Sequence, residues 1–163
     1  MKKSLLAFCF VTMTFGAFAG EISNASSSGE VQVTASVIKK LDVETENIEF
    51  GKVVQGSSDN KPHKTGKVKI NGESKEKIIV KFASNNDGNW TENASDLKVK
   101  LTNKENSGSE LIYVPSIVTS GKNLSDGEAT IELGGKLTVP EEAVVGNYTG
   151  ILKVKVCYDD DRI

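Results

Sequence analysis

Sulfur is almost absent from this chain of 163 residues, which has two cysteines, Cys9 and Cys157. Histidine and tryptophan occur once each, as His63 and Trp90, and proline three times. Each scarcity removes a class of explanation. A lone histidine without neighbouring cysteines cannot build a zinc site. No apolar run approaches the roughly 20 residues needed for a membrane-spanning helix. The net charge of −2 gives no electrostatic pull toward nucleic acid. Lysines are spread along the chain rather than clustered, which argues against a polybasic membrane patch.

What is present begins with a sorting signal. Met1-Lys2-Lys3, an apolar stretch from Leu5 to Phe15, and Ala17-Phe18-Ala19 read as a secretory leader, residues 1–19, cleaved after Ala19. The residues before Cys9, Ala7 and Phe8, are not the small pair of a lipid-anchor site. Removal of the leader leaves 144 of the 163 residues, enough for one domain with a core. Without Lys2 and Lys3 the remaining 18 basic and 22 acidic residues carry about −4. Cys157 then stands alone, so no internal disulfide forms and an exported domain is held by packing.

Residues 20–29 form a polar, flexible lead-in, and a domain of residues 30–163 follows. Alternation starts at once, with Val31, Val33, Ala35 and Val37 separated by Gln32, Thr34 and Ser36. This is the period of a strand with one apolar face. The pattern returns around Ile48 and Phe50, Val68 and Ile70, Ile78 to Phe82, Leu97 to Leu101, Leu111 to Val118, and Ala129 to Val139. Pro115 marks an edge or a bulge in its strand. The last run is the longest, Tyr148, Leu152, Val154, Val156 and Tyr158 sharing one face and Lys153, Lys155 and Cys157 the other. Turn formers such as Asn71-Gly72 and Ser125-Asp126-Gly127 separate the runs. No helix is expected beyond one turn after Pro140. The fold class is all-β: an immunoglobulin-like antiparallel β-sandwich of about eight or nine strands without a disulfide.

Residues able to carry chemistry are few. His63 reads as a solvated loop residue, Asp159-Asp160-Asp161 as a solvating tail without the spaced ligands of a calcium loop, and Cys157 as a surface thiol. The Asn-x-Ser/Thr triplets at Asn24, Asn89, Asn93, Asn123 and Asn147 read as turn chemistry. No paired carboxylates, nucleophile–base set or phosphate-cradling loop emerges, so neither catalysis nor a cofactor is expected. Trp90, alone in the polar stretch Asn85 to Ser95, suits either packing at the end of the sandwich or a platform for a sugar ring. The alternating lysines (Lys67, Lys69, Lys98, Lys100, Lys153, Lys155) read as wet strand faces.

Two segments resemble known families. Val31 to Val37 resembles the N-terminal donor strand of major pilins of colonisation-factor-type chaperone–usher fimbriae, and Gly146-Asn147-Tyr148-Thr149-Gly150 their closing motif. The same closing motif, with Ile48-Glu49-Phe50-Gly51 and Gly134-Gly135-Lys136-Leu137-Thr138-Val139, is similar to a family of bacterial exported domains of unknown function. The pilin resemblance implies assembly by strand addition at the cell surface. Residues 30–38 would be donated, with Val31, Val33, Ala35 and Val37 as knobs. Tyr148, Leu152, Val154, Val156 and Tyr158 would line the receiving groove. Partners would be copies of the same or related subunits, a periplasmic chaperone and an outer-membrane usher. The alternative expectation is a self-complete secreted module that binds a surface glycan or host protein through Trp90.

Overall fold

The computed structural model describes residues 27–85 and 88–159. The expected leader, Asn24, and Asp160 and Asp161 of the tail lie outside them. The chain divides into two units, residues 1–36 and 37–163. In the first unit, residues 27–36 carry no strand, and Val31 and Val33 are 87% and 88% exposed. Val37, at the start of the second unit, is 96% exposed. The expected first strand with a buried face is therefore not formed within this chain. Its apolar residues are small and alternate with polar ones, and a lone extended segment has no ladder or covered face to hold it.

The second unit is a two-layered β structure with eight strands among the described residues. They are β1 (Asp42–Glu46), β2 (Gly66–Asn71), β3 (Ile78–Ser84), β4 (Val99–Asn103), β5 (Glu110–Thr119), β6 (Glu128–Thr138), β7 (Tyr148–Thr149) and β8 (Leu152–Tyr158). Six strands form one antiparallel sheet in the order β1-β2-β6-β5-β4-β7, and β3 and β8 pair alone in a second. No disulfide joins them, and Cys157 is free. The only helical element described is one 3-10 turn, Ala94–Asp96, capped by the Asn93 side chain, which accepts from the Ser95 amide. Asn93 thus acts as a turn former.

Alternation explains the core. Val68 and Ile70 of β2, Ile131 and Leu133 of β6, and Ile78, Val80 and Phe82 of β3 meet in one cluster. Val99, Leu111, Tyr113, Leu137 and Val139 form a second. Lysines 67, 69, 100, 153 and 155 are exposed on the opposite strand faces, and Lys98 is exposed just before β4. Two of them are paired, Lys69 with Glu46 at 2.9 Å and Lys100 with Glu110 at 2.8 Å.

Pro115 sits where its missing N–H is tolerated. The β4–β5 ladder ends at Val99↔Tyr113, so β5 is an edge on that side beyond Tyr113, and a register shift follows between Ile117 and Thr119. Opposite it, Gly135 has φ +137°, and a Cβ there would lie 2.3 Å from the Val114 carbonyl oxygen. That close approach lets the Tyr113 hydroxyl donate to the Gly134 carbonyl at 2.6 Å.

One strand departs from expectation. The run from Tyr148 to Tyr158 is two strands in two sheets: Tyr148–Thr149 pairs with β4, and Leu152–Tyr158 with β3. The crossing occurs at Gly150, where a Cβ would stand 2.6 Å from the Lys100 carbonyl oxygen. The chain passes against that carbonyl and changes layer.

Phe82 is fully buried. Phe82→Ala is expected to lower the unfolding free energy by about 3–5 kcal/mol, against less than about 0.5 kcal/mol for exposed Val118→Ala, both read by urea denaturation.

Candidate functional site

The two sheets are unequal, and the imbalance creates the site. Asp159 N–H donates to the Lys77 carbonyl and Asn85 N–H to the Ile151 carbonyl, which sets the phase of the β3–β8 ladder. In an antiparallel pair the bonding residues alternate. Lys153, Lys155 and Cys157 therefore turn their backbone groups toward β3. Leu152, Val154, Val156 and Tyr158 turn theirs to the opposite edge, where no strand pairs with β8 among the described residues.

The outer edge of β3 is treated differently. Phe82 exchanges two backbone bonds with Thr91, at 2.7 and 2.9 Å, and the Ile78 N–H reaches the Lys122 carbonyl at 3.1 Å. Loops thus cap β3, while β8 stays open.

The side chains record the same gap. Val154 pairs across the ladder with Phe82, and Val156 with Val80. Phe82 and Val80 are buried, yet Val154 and Val156 are only half-buried, as are Leu152 and Tyr158. On the facing layer, Val43 of β1 stands beside Ile70, which is 1% exposed, but is itself 38% exposed. An apolar seam thus runs along β8.

At its Leu152 end the seam meets a cleft of about 560 Å³ walled by Ile48, Phe50, Leu101, Tyr113, Tyr148 and Leu152. Phe50 and Tyr113 form a T-shaped pair, with ring centroids 5.4 Å apart. At the other end, the Tyr158 hydroxyl accepts from the Glu73 N–H at 2.8 Å and donates to the Lys39 carbonyl at 2.6 Å. The Lys39 N–H in turn donates to Glu73 Oε2 at 3.0 Å.

The candidate residues separate accordingly. Leu152, Val154, Val156 and Tyr158 line the seam. Tyr148 belongs to the other sheet and borders the cleft. Its hydroxyl donates to the Val144 carbonyl at 2.6 Å and lies 2.6 Å from Ser109 Oγ. This is the arrangement of a tyrosine corner, which fixes the turn before the crossing. Trp90 is 41% exposed and belongs to neither core cluster among the described residues. His63 is exposed in its loop. Cys157 is half-buried, with Sγ 3.8 Å from the Ile79 carbonyl oxygen. No group of metal-ligating side chains is gathered among the described residues.

The residues that sequence reading missed are Val43, Lys39 and Glu73. Val43 was hidden because β1 reads Asp-Val-Glu-Thr-Glu, without alternation of apolar residues. The other two act through backbone groups and one carboxylate, which leave no periodic trace.

Tyr148→Phe removes the donor to Val144 and is expected to destabilise the fold by about 1–2 kcal/mol in urea denaturation. Burial raises the Tyr113 hydroxyl above its ordinary pKa. A group raised on folding favours the fold below its unfolded pKa and loses that contribution as pH climbs toward the folded value. Stability should therefore fall above about pH 10, and Tyr113→Phe should flatten that part of the decline in pH-dependent melting.

No curated protein matches the chain. A family model matches residues 11–158, spanning Ile48 to Gly51, Gly134 to Val139 and the closing turn Gly146 to Gly150. The chain belongs to the DUF4402 family, a domain of unknown function.

Proposed function

We propose that this protein is a non-catalytic subunit of a bacterial surface fibre that assembles by strand addition. In this reading the chain is exported through the periplasm, and residues 30–38 of one copy lie beside β8 of the next. The supporting observation is the open edge of β8 with its half-buried row of Leu152, Val154, Val156 and Tyr158. An added strand would bond to the outward backbone groups of those four residues and cover their side chains. Val31, Val33, Ala35 and Val37 are four apolar residues at the same period, exposed and outside every ladder. Burial of each valine would contribute about 1.5–3 kcal/mol. The same open edge is what a periplasmic chaperone would hold before an usher passes the subunit on, since an unpaired apolar edge otherwise invites aggregation.

A second reading has its own support in the half-exposed indole of Trp90, which suits a secreted module binding a glycan or host protein. There Trp90→Ala should abolish ligand binding on a glycan array, and unchanged binding would count against it.

The fibre reading is tested by adding a synthetic peptide of residues 29–39 to a chain lacking residues 20–38. The peptide at about 100 times its Kd should raise the melting temperature by about 10 °C. A Val33→Asp peptide should leave it unmoved. A truncated chain that melts like the intact one and binds no peptide would contradict the reading.

A further inference from the structure

The clamp at the end of the seam bears on how successive subunits would be joined. Lys39 is held at both of its backbone polar groups, its N–H by Glu73 Oε2 at 3.0 Å and its carbonyl by the Tyr158 hydroxyl at 2.6 Å. Tyr158 is itself fixed as the last residue of β8, and its hydroxyl is further engaged by the Glu73 N–H. Two residues on, Leu41 packs against the core cluster. From Lys39 onward, then, the chain belongs to its own sandwich. Val37 lies two residues before the clamp and is 96% exposed, and Ile38 between them is 45% exposed.

Resting on the strand-addition reading, we infer that Ile38 is the whole connector between successive subunits and that the Lys39–Glu73–Tyr158 clamp makes the joint a contact rather than a hinge. If Val37 is the last donated knob and Lys39 stays clamped, only two Cα–Cα steps separate a residue seated in the neighbour from one fixed at home. Those steps span about 7 Å at full extension. Two folded surfaces tied that closely must touch, and Ile38 is covered between them. The polymer is then a stiff rod rather than beads on a string. A flexible connector, by contrast, would need several residues free at both ends.

The test uses fibres of the full mature chain, imaged by electron microscopy beside two variants. One carries Gly-Ser-Gly-Ser inserted between Ile38 and Lys39. The other is Tyr158→Phe, which keeps the ring in the seam and removes the hydroxyl from the clamp. The insertion is expected to shorten the persistence length several-fold and to lengthen the axial repeat by up to about 14 Å. Tyr158→Phe should soften the fibre at an unchanged repeat, an effect that a purely structural role within one sandwich would not produce. Flexible wild-type fibres, or stiffness unaltered by the insertion, would overturn the inference while leaving strand addition intact. A folded mature chain that forms no polymer would overturn both.

Discussion

The structure turns on one mismatch: a two-stranded sheet is set against a six-stranded one. Each strand of a sheet has two hydrogen-bonding edges and, in a sandwich, one face that must be covered. The wide sheet has a strand on each side of its four inner members, and Val68, Ile70, Ile131 and Leu133 are buried against β3. The narrow sheet has no inner member. Loops at Thr91 and Lys122 cap β3, but the outward backbone groups of Leu152, Val154, Val156 and Tyr158 meet no strand among the described residues. Half-burial of these side chains follows from the same deficit.

Three segments within the family-matched span support this seam from below. Gly134-Gly135 lets Tyr113 lie across β6, and Tyr113 in turn forms a T-shaped pair with Phe50. Phe50 and Ile48 wall the cleft at one end of the seam. The turn from Gly146 to Gly150 carries the chain from β7 in one sheet to β8 in the other, anchored by the Tyr148 hydroxyl. These residues supply the packing and turn chemistry that leaves β8 at an open edge among the described residues, which on the proposed reading is where a second copy binds.

Much of this was legible in the sequence where burial writes a pattern. Alternation at Val68 to Ile70, Ile78 to Phe82 and Ala129 to Val139 located buried strands, and the lysines between them located wet faces. Where one face is not covered, the signal fails. β1 reads Asp-Val-Glu-Thr-Glu and escaped notice because it is an edge strand exposed on both faces. Val31 to Val37 failed in the opposite sense, having the period of a strand without a partner. Periodicity reports what a segment can cover, not whether anything is there to be covered. The crossing at Gly150 was missed for a related reason: Tyr148 and Leu152 keep the period of one strand through a change of sheet. The 3-10 turn at Ala94–Asp96 is too short to leave a helical period at all.

The open edge itself is measurable amide by amide. Hydrogen exchange of the monomeric mature chain, followed by NMR, should show an alternation along β8. Lys153, Lys155 and Cys157, bonded to β3, should be protected, and Leu152, Val154, Val156 and Tyr158 should exchange rapidly. In the assembled state the second set should become as protected as the first. Uniform protection along β8 in the monomer, or continued rapid exchange of the second set after assembly, would contradict the account.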